Sequence, residues 1–164
     1  MSEALANSLR LNLELCRRML EGVPAAACHR QGPGVENHPA WIIGHLAHSM
    51  QAIGEELGLE AWLDPSWAVA FGTGSRPAAE AGIGLEELVA ALETGVARVR
   101  ARLESMTAAD LAAPLPDQRY RATFPRIEDA AVHVLSAHFA FHLGQLSCWL
   151  RAQGGELPSE MDRR

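Results

Sequence analysis

The chain has 164 residues, a length that predicts a single domain over residues 1–164 with a sizeable core. Its net charge of -6, without a basic stripe interleaved with aromatic residues, disfavours nucleic acid as a partner. Because we find neither a signal-peptide pattern nor an apolar run long enough to cross a bilayer, we expect a cytoplasmic protein without a membrane partner.

The first half of the sequence predicts two helices and a long connection. Apolar residues at three- and four-residue spacing predict a first helix over residues 2–21. Asn37 as a cap and Pro39 in a first turn predict a second helix over 37–57. Residues 58–83 then form a connection whose large aromatic side chains indicate a loop packed against the body. These side chains are Trp62, Trp67 and Phe71.

The second half predicts two more helices. The third runs over residues 85–106 and the fourth over 127–153, where Gly154 and Gly155 end it. Weak alternation over 120–124 is compatible with an extended segment between them. Four helices of this length predict an all-α protein, an antiparallel four-helix bundle with a long connection between helices two and three.

Histidines in two predicted helices suggest a metal site. His138 and His142 are four residues apart, so they lie only about 40° apart around a helix axis and can reach one point. Two nitrogen ligands from one rigid element are a common feature of metal sites. His45 is the best candidate for a third ligand. The alternative is that His138 and His142 are ordinary, partly buried helix histidines.

The remaining histidines are less favourable candidates. His48 lies about 60° from His45, so it can line the same cavity but is better explained as a neighbour than as a ligand. His133 lies about 140° from His138 on an α-helix, which predicts that it faces elsewhere. Two further histidines are expected to touch solvent, His29 and His38.

A few other side chains have alternative interpretations. Cys16 and Cys148 are expected to pack as small apolar residues, and Cys28 is a weak alternative ligand. Trp41 is expected to form a wall of the cavity or of the core. Gln145 either fixes the tautomer of a ligand histidine or caps the edge of the bundle.

Two motifs resemble those of DinB-like proteins. NHPAWIIGHL at 37–46 is similar to their second-helix motif, and HFAFHLGQ at 138–145 to their last-helix HxxxHxGQ. The resemblance implies a four-helix bundle, frequent homodimers, and a divalent metal ion, usually nickel or zinc. By position its ligands would be His45, His138 and His142. Members of known activity include metal-dependent thiol transferases and a thiol-dependent isomerase.

The chemistry of three histidine ligands leaves several functions open. An open coordination position serves either hydrolysis or the activation of a thiol. Since the nearest carboxylates in sequence lie more than two helical turns from the histidines, we expect transfer of a low-molecular-weight thiol to a small electrophile. A metal-dependent hydrolase and a non-catalytic dimeric module that binds metal or a small molecule are the alternatives. Apolar residues left over for a homodimer interface include Leu146, Trp149 and Leu150.

Overall fold

A computed structural model describes residues 3–78 and 82–155, and the regular secondary structure within these ranges is entirely helical. The α-helices are α1 Glu3–Leu20, α2 Pro39–Glu56, α3 Ser66–Phe71, α4 Leu85–Ser105, α5 Ala108–Leu111, α6 Ile127–Val132 and α7 Phe139–Ala152. A π-helical turn, His133–His138, joins α6 to α7, and 3-10 turns cover Ala25–Ala27 and Gln118–Tyr120. The all-α prediction and the four long helical segments are therefore confirmed.

Helix α2 lies at the centre of the packing. It packs along α4, while α1 packs against the π-helical turn and α7. All residues of 39–47 are buried, which is the pattern of a helix surrounded by protein. A Cβ atom on Gly95 would lie 2.7 Å from Cβ of Met50, so α2 and α4 approach each other closely at this point. The first candidate ligand, His45, is thus held on the most enclosed helix.

The long connection packs against the body, as its aromatic residues predict. Trp67 and Phe71 are buried, and Trp62 is half-buried beneath the guanidinium of Arg98. The short helix α3, which contains two of these residues, is not apparent from the apolar spacing because a six-residue helix is too short to show a period.

Two local predictions are wrong. Residues 120–124 are not extended, because Asp117 accepts a hydrogen bond from the backbone N–H of Arg119 and so caps a 3-10 turn. The backbone N–H groups of Thr123 and Phe124 then donate to the carbonyl of Tyr120, which continues the turn. Cys148 is exposed, whereas Cys16 is buried as expected.

The helices that the structure describes include none with both the length and the apolar character needed to cross a membrane.

Candidate metal centre

Three histidines meet between two helical runs. His45 comes from α2, His138 ends the π-helical turn, and His142 lies one turn further along in α7. The Nε2 atom of His138 lies 3.2 Å from Nε2 of His45 and 3.2 Å from Nε2 of His142. One potential ligand atom from each residue lies within 4.8 Å of the others. The structure thus brings together the three residues that the sequence suggested.

Hydrogen bonds fix the tautomer of two of these imidazoles. His45 Nδ1–H donates to the carbonyl oxygen of Phe71 at 2.7 Å. His142 Nδ1–H donates to Gln145 Oε1 at 3.0 Å, and this oxygen also accepts from Asn37 Nδ2 at 2.9 Å. Because a neutral imidazole carries one proton, both rings present a bare Nε2 to the other histidines. Gln145 therefore plays the tautomer-fixing part proposed for it from sequence.

Protein atoms alone do not satisfy the hydrogen-bonding capacity of the three histidines. His138 Nδ1 is buried and has no hydrogen-bond partner among the described residues. Its Nε2 faces two bare nitrogens, and one proton cannot bond fully to both. By contrast, nitrogens that each lie about 2.1 Å from one ion are separated by roughly 3.0–3.4 Å, depending on the coordination angle. The observed separations of 3.2 Å fit a shared cation.

Burial keeps the imidazoles neutral. It lowers the pKa of His138 to about 3, with a further contribution from repulsion by His142 and His45. Burial, followed by repulsion from His45, lowers the pKa of His142 to about 4. The pKa of His45 is lowered as well, again chiefly by burial. At neutral pH all three rings are unprotonated, which is the state that a metal ligand requires.

Aromatic side chains surround the centre. The ring of Trp41 stacks on that of His45, with centroids 4.8 Å apart and planes within 4° of parallel. This placement confirms that Trp41 forms a wall of the site. The ring of Phe141 meets His142 edge-on at 5.3 Å and is 64% exposed. The centre therefore has a closed aromatic side on α2 and a side nearer to solvent on α7.

The π-helical turn overturns one sequence prediction, that His133 faces away from His138. In a π-helix the backbone bonds join residues five apart, so such residues stand one turn above each other. The ring centroid of His133 consequently lies 6.0 Å from that of His138 and 4.9 Å from that of Phe124. His133 belongs to the surroundings of the centre.

Four side chains from α2 and from the segment before it form hydrogen bonds to the long connection. The contacts run in antiparallel order: the earlier a side chain lies in the sequence, the later its partner lies in the connection. The pairs are His45 with the Phe71 carbonyl, Trp41 Nε1 with Ser75 Oγ at 3.0 Å, His38 Nε2 with the Ala78 carbonyl at 3.0 Å, and His29 Nε2 with the Ile83 carbonyl at 3.1 Å. The position of the connection and that of the ligand His45 are thus linked.

His38 and His29 differ from the expectation that both touch solvent. His38 is only 1% exposed, and its Nδ1 accepts the backbone N–H of Trp41, so it caps α2 in place of the predicted Asn37. His29 is half-buried. Both imidazoles donate hydrogen bonds to backbone carbonyls of the connection. The sequence around a single histidine does not indicate which distant carbonyl it will meet.

The other candidate ligands lie outside the centre. Neither Cys28 nor His48 belongs to the three-histidine group, and burial raises the pKa of the Cys28 thiol, which disfavours the thiolate. The group that the described residues form contains no carboxylate either.

Together these features define an all-helical protein in which three histidines are positioned to bind a divalent metal ion. The family model of the DinB superfamily matches residues 8–146, and the chain belongs to this superfamily. The match begins in α1 and extends into α7, so it includes all three histidines. Comparisons with curated proteins and with solved structures gave no match.

Proposed function

We propose that the protein is a metal-dependent thiol transferase that joins a low-molecular-weight thiol to a small electrophile. The ion would be nickel or zinc, held by His45, His138 and His142. The convergence of three imidazoles whose pKa values are lowered, with no carboxylate within two helical turns of them in sequence, carries this proposal. Imidazole ligands suit both metals.

An ion held by these three histidines would lower the pKa of a bound thiol and so supply the thiolate at neutral pH. The thiolate sulfur forms a bond to the electrophilic carbon while the bond between that carbon and its leaving group breaks. The leaving group departs as an anion with the electron pair, and the thiol proton passes to solvent. The protein contributes orientation and exclusion of water. The Phe71 carbonyl fixes the tautomer of His45, and Gln145 fixes that of His142. The Trp41 ring, stacked on His45, covers one side of the metal centre.

Hydrolysis is the less favoured alternative. It gains from a carboxylate that accepts a proton from the attacking water. The Asp and Glu residues nearest to the histidines in sequence lie more than two helical turns away, whereas thiol transfer needs no general base once the thiol is ionised. A third possibility is a module that binds metal or a small molecule without turnover.

The reaction can be tested with chromogenic substrates. Metal-loaded protein is incubated with 1-chloro-2,4-dinitrobenzene and a panel of cellular thiols, and with an activated ester in the absence of thiol. We expect conjugation that depends on both metal and thiol and that the His142→Ala variant lacks. Metal-dependent ester cleavage without thiol contradicts the transferase proposal, and no turnover in either assay favours the binding module.

We also propose a cytoplasmic location and small-molecule rather than nucleic-acid partners. The three cysteines are free thiols, which suits a reducing compartment. The net charge of -6 opposes association with a polyanion.

A homodimer is proposed on the family resemblance alone. The apolar residues suggested from sequence as spare, Leu146, Trp149 and Leu150, are buried within the chain and so supply no interface. Light scattering at micromolar concentration is expected to give a mass twice the 17.7 kDa of one chain. A single species at the mass of one chain contradicts the proposal.

A further inference from the structure

His133 lies beside the three-histidine centre. The π-helical turn places its ring 6.0 Å from that of His138. Among the three candidate ligands, His45 and His142 are buried, whereas His138 is half-buried. His133 therefore lies next to the most exposed of the three candidate ligands.

Among the histidines outside the three-histidine group, His133 is the one that is exposed and can contact a small molecule. His29 and His38 are bonded to backbone carbonyls, and His48 is half-buried on α2. His133 is exposed, and the Phe124 ring at 4.9 Å supports one side of its imidazole. Its nitrogens lie too far from the other three for His133 to join the group within 4.8 Å.

We propose that His133 is a substrate-binding residue, which donates a hydrogen bond to the anionic atom that occupies the open position of the ion. The ligand class is a small thiolate or a comparable small anion. Its ring lies 6.0 Å from that of His138, so a small molecule bound beside His138 can contact His133, whose imidazole N–H is a hydrogen-bond donor. This inference rests on the proposed function insofar as it requires an ion held by the three histidines.

The test uses full-length protein loaded with cobalt(II), whose visible absorption reports on its ligands. Wild type is titrated with azide and, separately, with 2-mercaptoethanol. The variants are His133→Ala, His133→Gln, which keeps an N–H donor, and Val132→Ala as a control at the neighbouring exposed position. Cobalt affinity is measured for each protein by competition with a chelator.

We expect His133→Ala to bind both probes about tenfold more weakly, the usual effect of losing a hydrogen bond to a charged group. His133→Gln is expected to recover part of this loss, and Val132→Ala to match wild type. Cobalt affinity should stay within about threefold of wild type in all variants, because His133 is not a ligand.

Either of two results with the His133→Ala variant overturns the inference. Unchanged probe affinity in His133→Ala shows that His133 does not contact the bound molecule, and a large loss of cobalt affinity shows that it acts on the ion itself. The proposed function fails separately if wild type binds azide but no thiol, since the azide titrations still decide the role of His133. If wild type takes up no cobalt, both proposals are wrong.

Discussion

At the scale of single residues, two of the three ligand imidazoles are oriented by groups behind them. The Phe71 carbonyl and the Gln145 side chain each accept an Nδ1–H, and this turns Nε2 inward. Sequence could suggest Gln145, since a residue three positions after His142 lies on the same helical face. It could not suggest Phe71, because every residue has a carbonyl and only the folded connection brings this one to His45.

Removal of the Gln145 contact should weaken metal binding. Without Oε1 the His142 ring is free to rotate and to change tautomer, so we expect Gln145→Ala to lower metal affinity about 10–100-fold. Competition with a chromogenic chelator measures the effect. Gln118→Ala changes the same residue type in an exposed 3-10 turn and should leave affinity unchanged. Equal affinities of the two variants would show that Gln145 has no orienting role.

At the scale of elements, the long helices follow from apolar spacing, but the π-helical turn does not. Its backbone is supported by a distant side chain, since Asn12 Nδ2 of α1 donates to the carbonyl of Ser136 at 3.3 Å. The two residues are 124 positions apart, so no local pattern could reveal the contact. An angle of about 100° per residue therefore predicts the wrong face for His133, which lies in the π-helical turn. The same angle predicts the proximity of His138 and His142, and the structure shows this proximity.

The approach of the connection to α2 depends on the absence of a side chain at Gly44. A Cβ atom there would lie 2.4 Å from the Phe71 ring. We expect Gly44→Ala to displace Phe71, to destabilise the fold by about 1–3 kcal/mol through overpacking, and to weaken metal binding through His45. Urea unfolding of the metal-free protein measures the stability.

Gly144 offers a matched control in α7. An added Cβ meets nothing within 4 Å there, so Gly144→Ala should stabilise the protein by about 0.5–1 kcal/mol, the difference in helix propensity. If Gly44→Ala proves as stable as Gly144→Ala, Phe71 does not depend on the close approach.

At the scale of the whole molecule, the neutral centre makes stability depend on pH. Folding holds the pKa of His138 at about 3 and that of His142 at about 4, both below the value of 6.5 for an ordinary histidine. Below pH 6.5 the unfolded chain therefore binds more protons than the folded one, and the free energy of unfolding falls as the pH falls. Above that pH the two groups contribute no pH dependence.

We expect the urea midpoint of the metal-free protein to fall between about pH 6.5 and 4, with an uptake of at least about two protons on unfolding. Burial also lowers the pKa values of His38, His45 and His48, which add to this uptake. The double variant His138→Ala/His142→Ala should show a shallower slope over the same range. A slope as steep in this variant as in wild type would place the titrating groups elsewhere.

The central claim is that three histidines hold one ion, and elemental analysis tests it most directly. Protein is purified without a metal-affinity tag, as wild type and as the His142→Ala and His133→Ala variants. We predict one nickel or zinc ion per chain in wild type and in His133→Ala, and none in His142→Ala. Wild type without stoichiometric metal, even after incubation with both ions, or an ion retained by His142→Ala, would contradict the assignment.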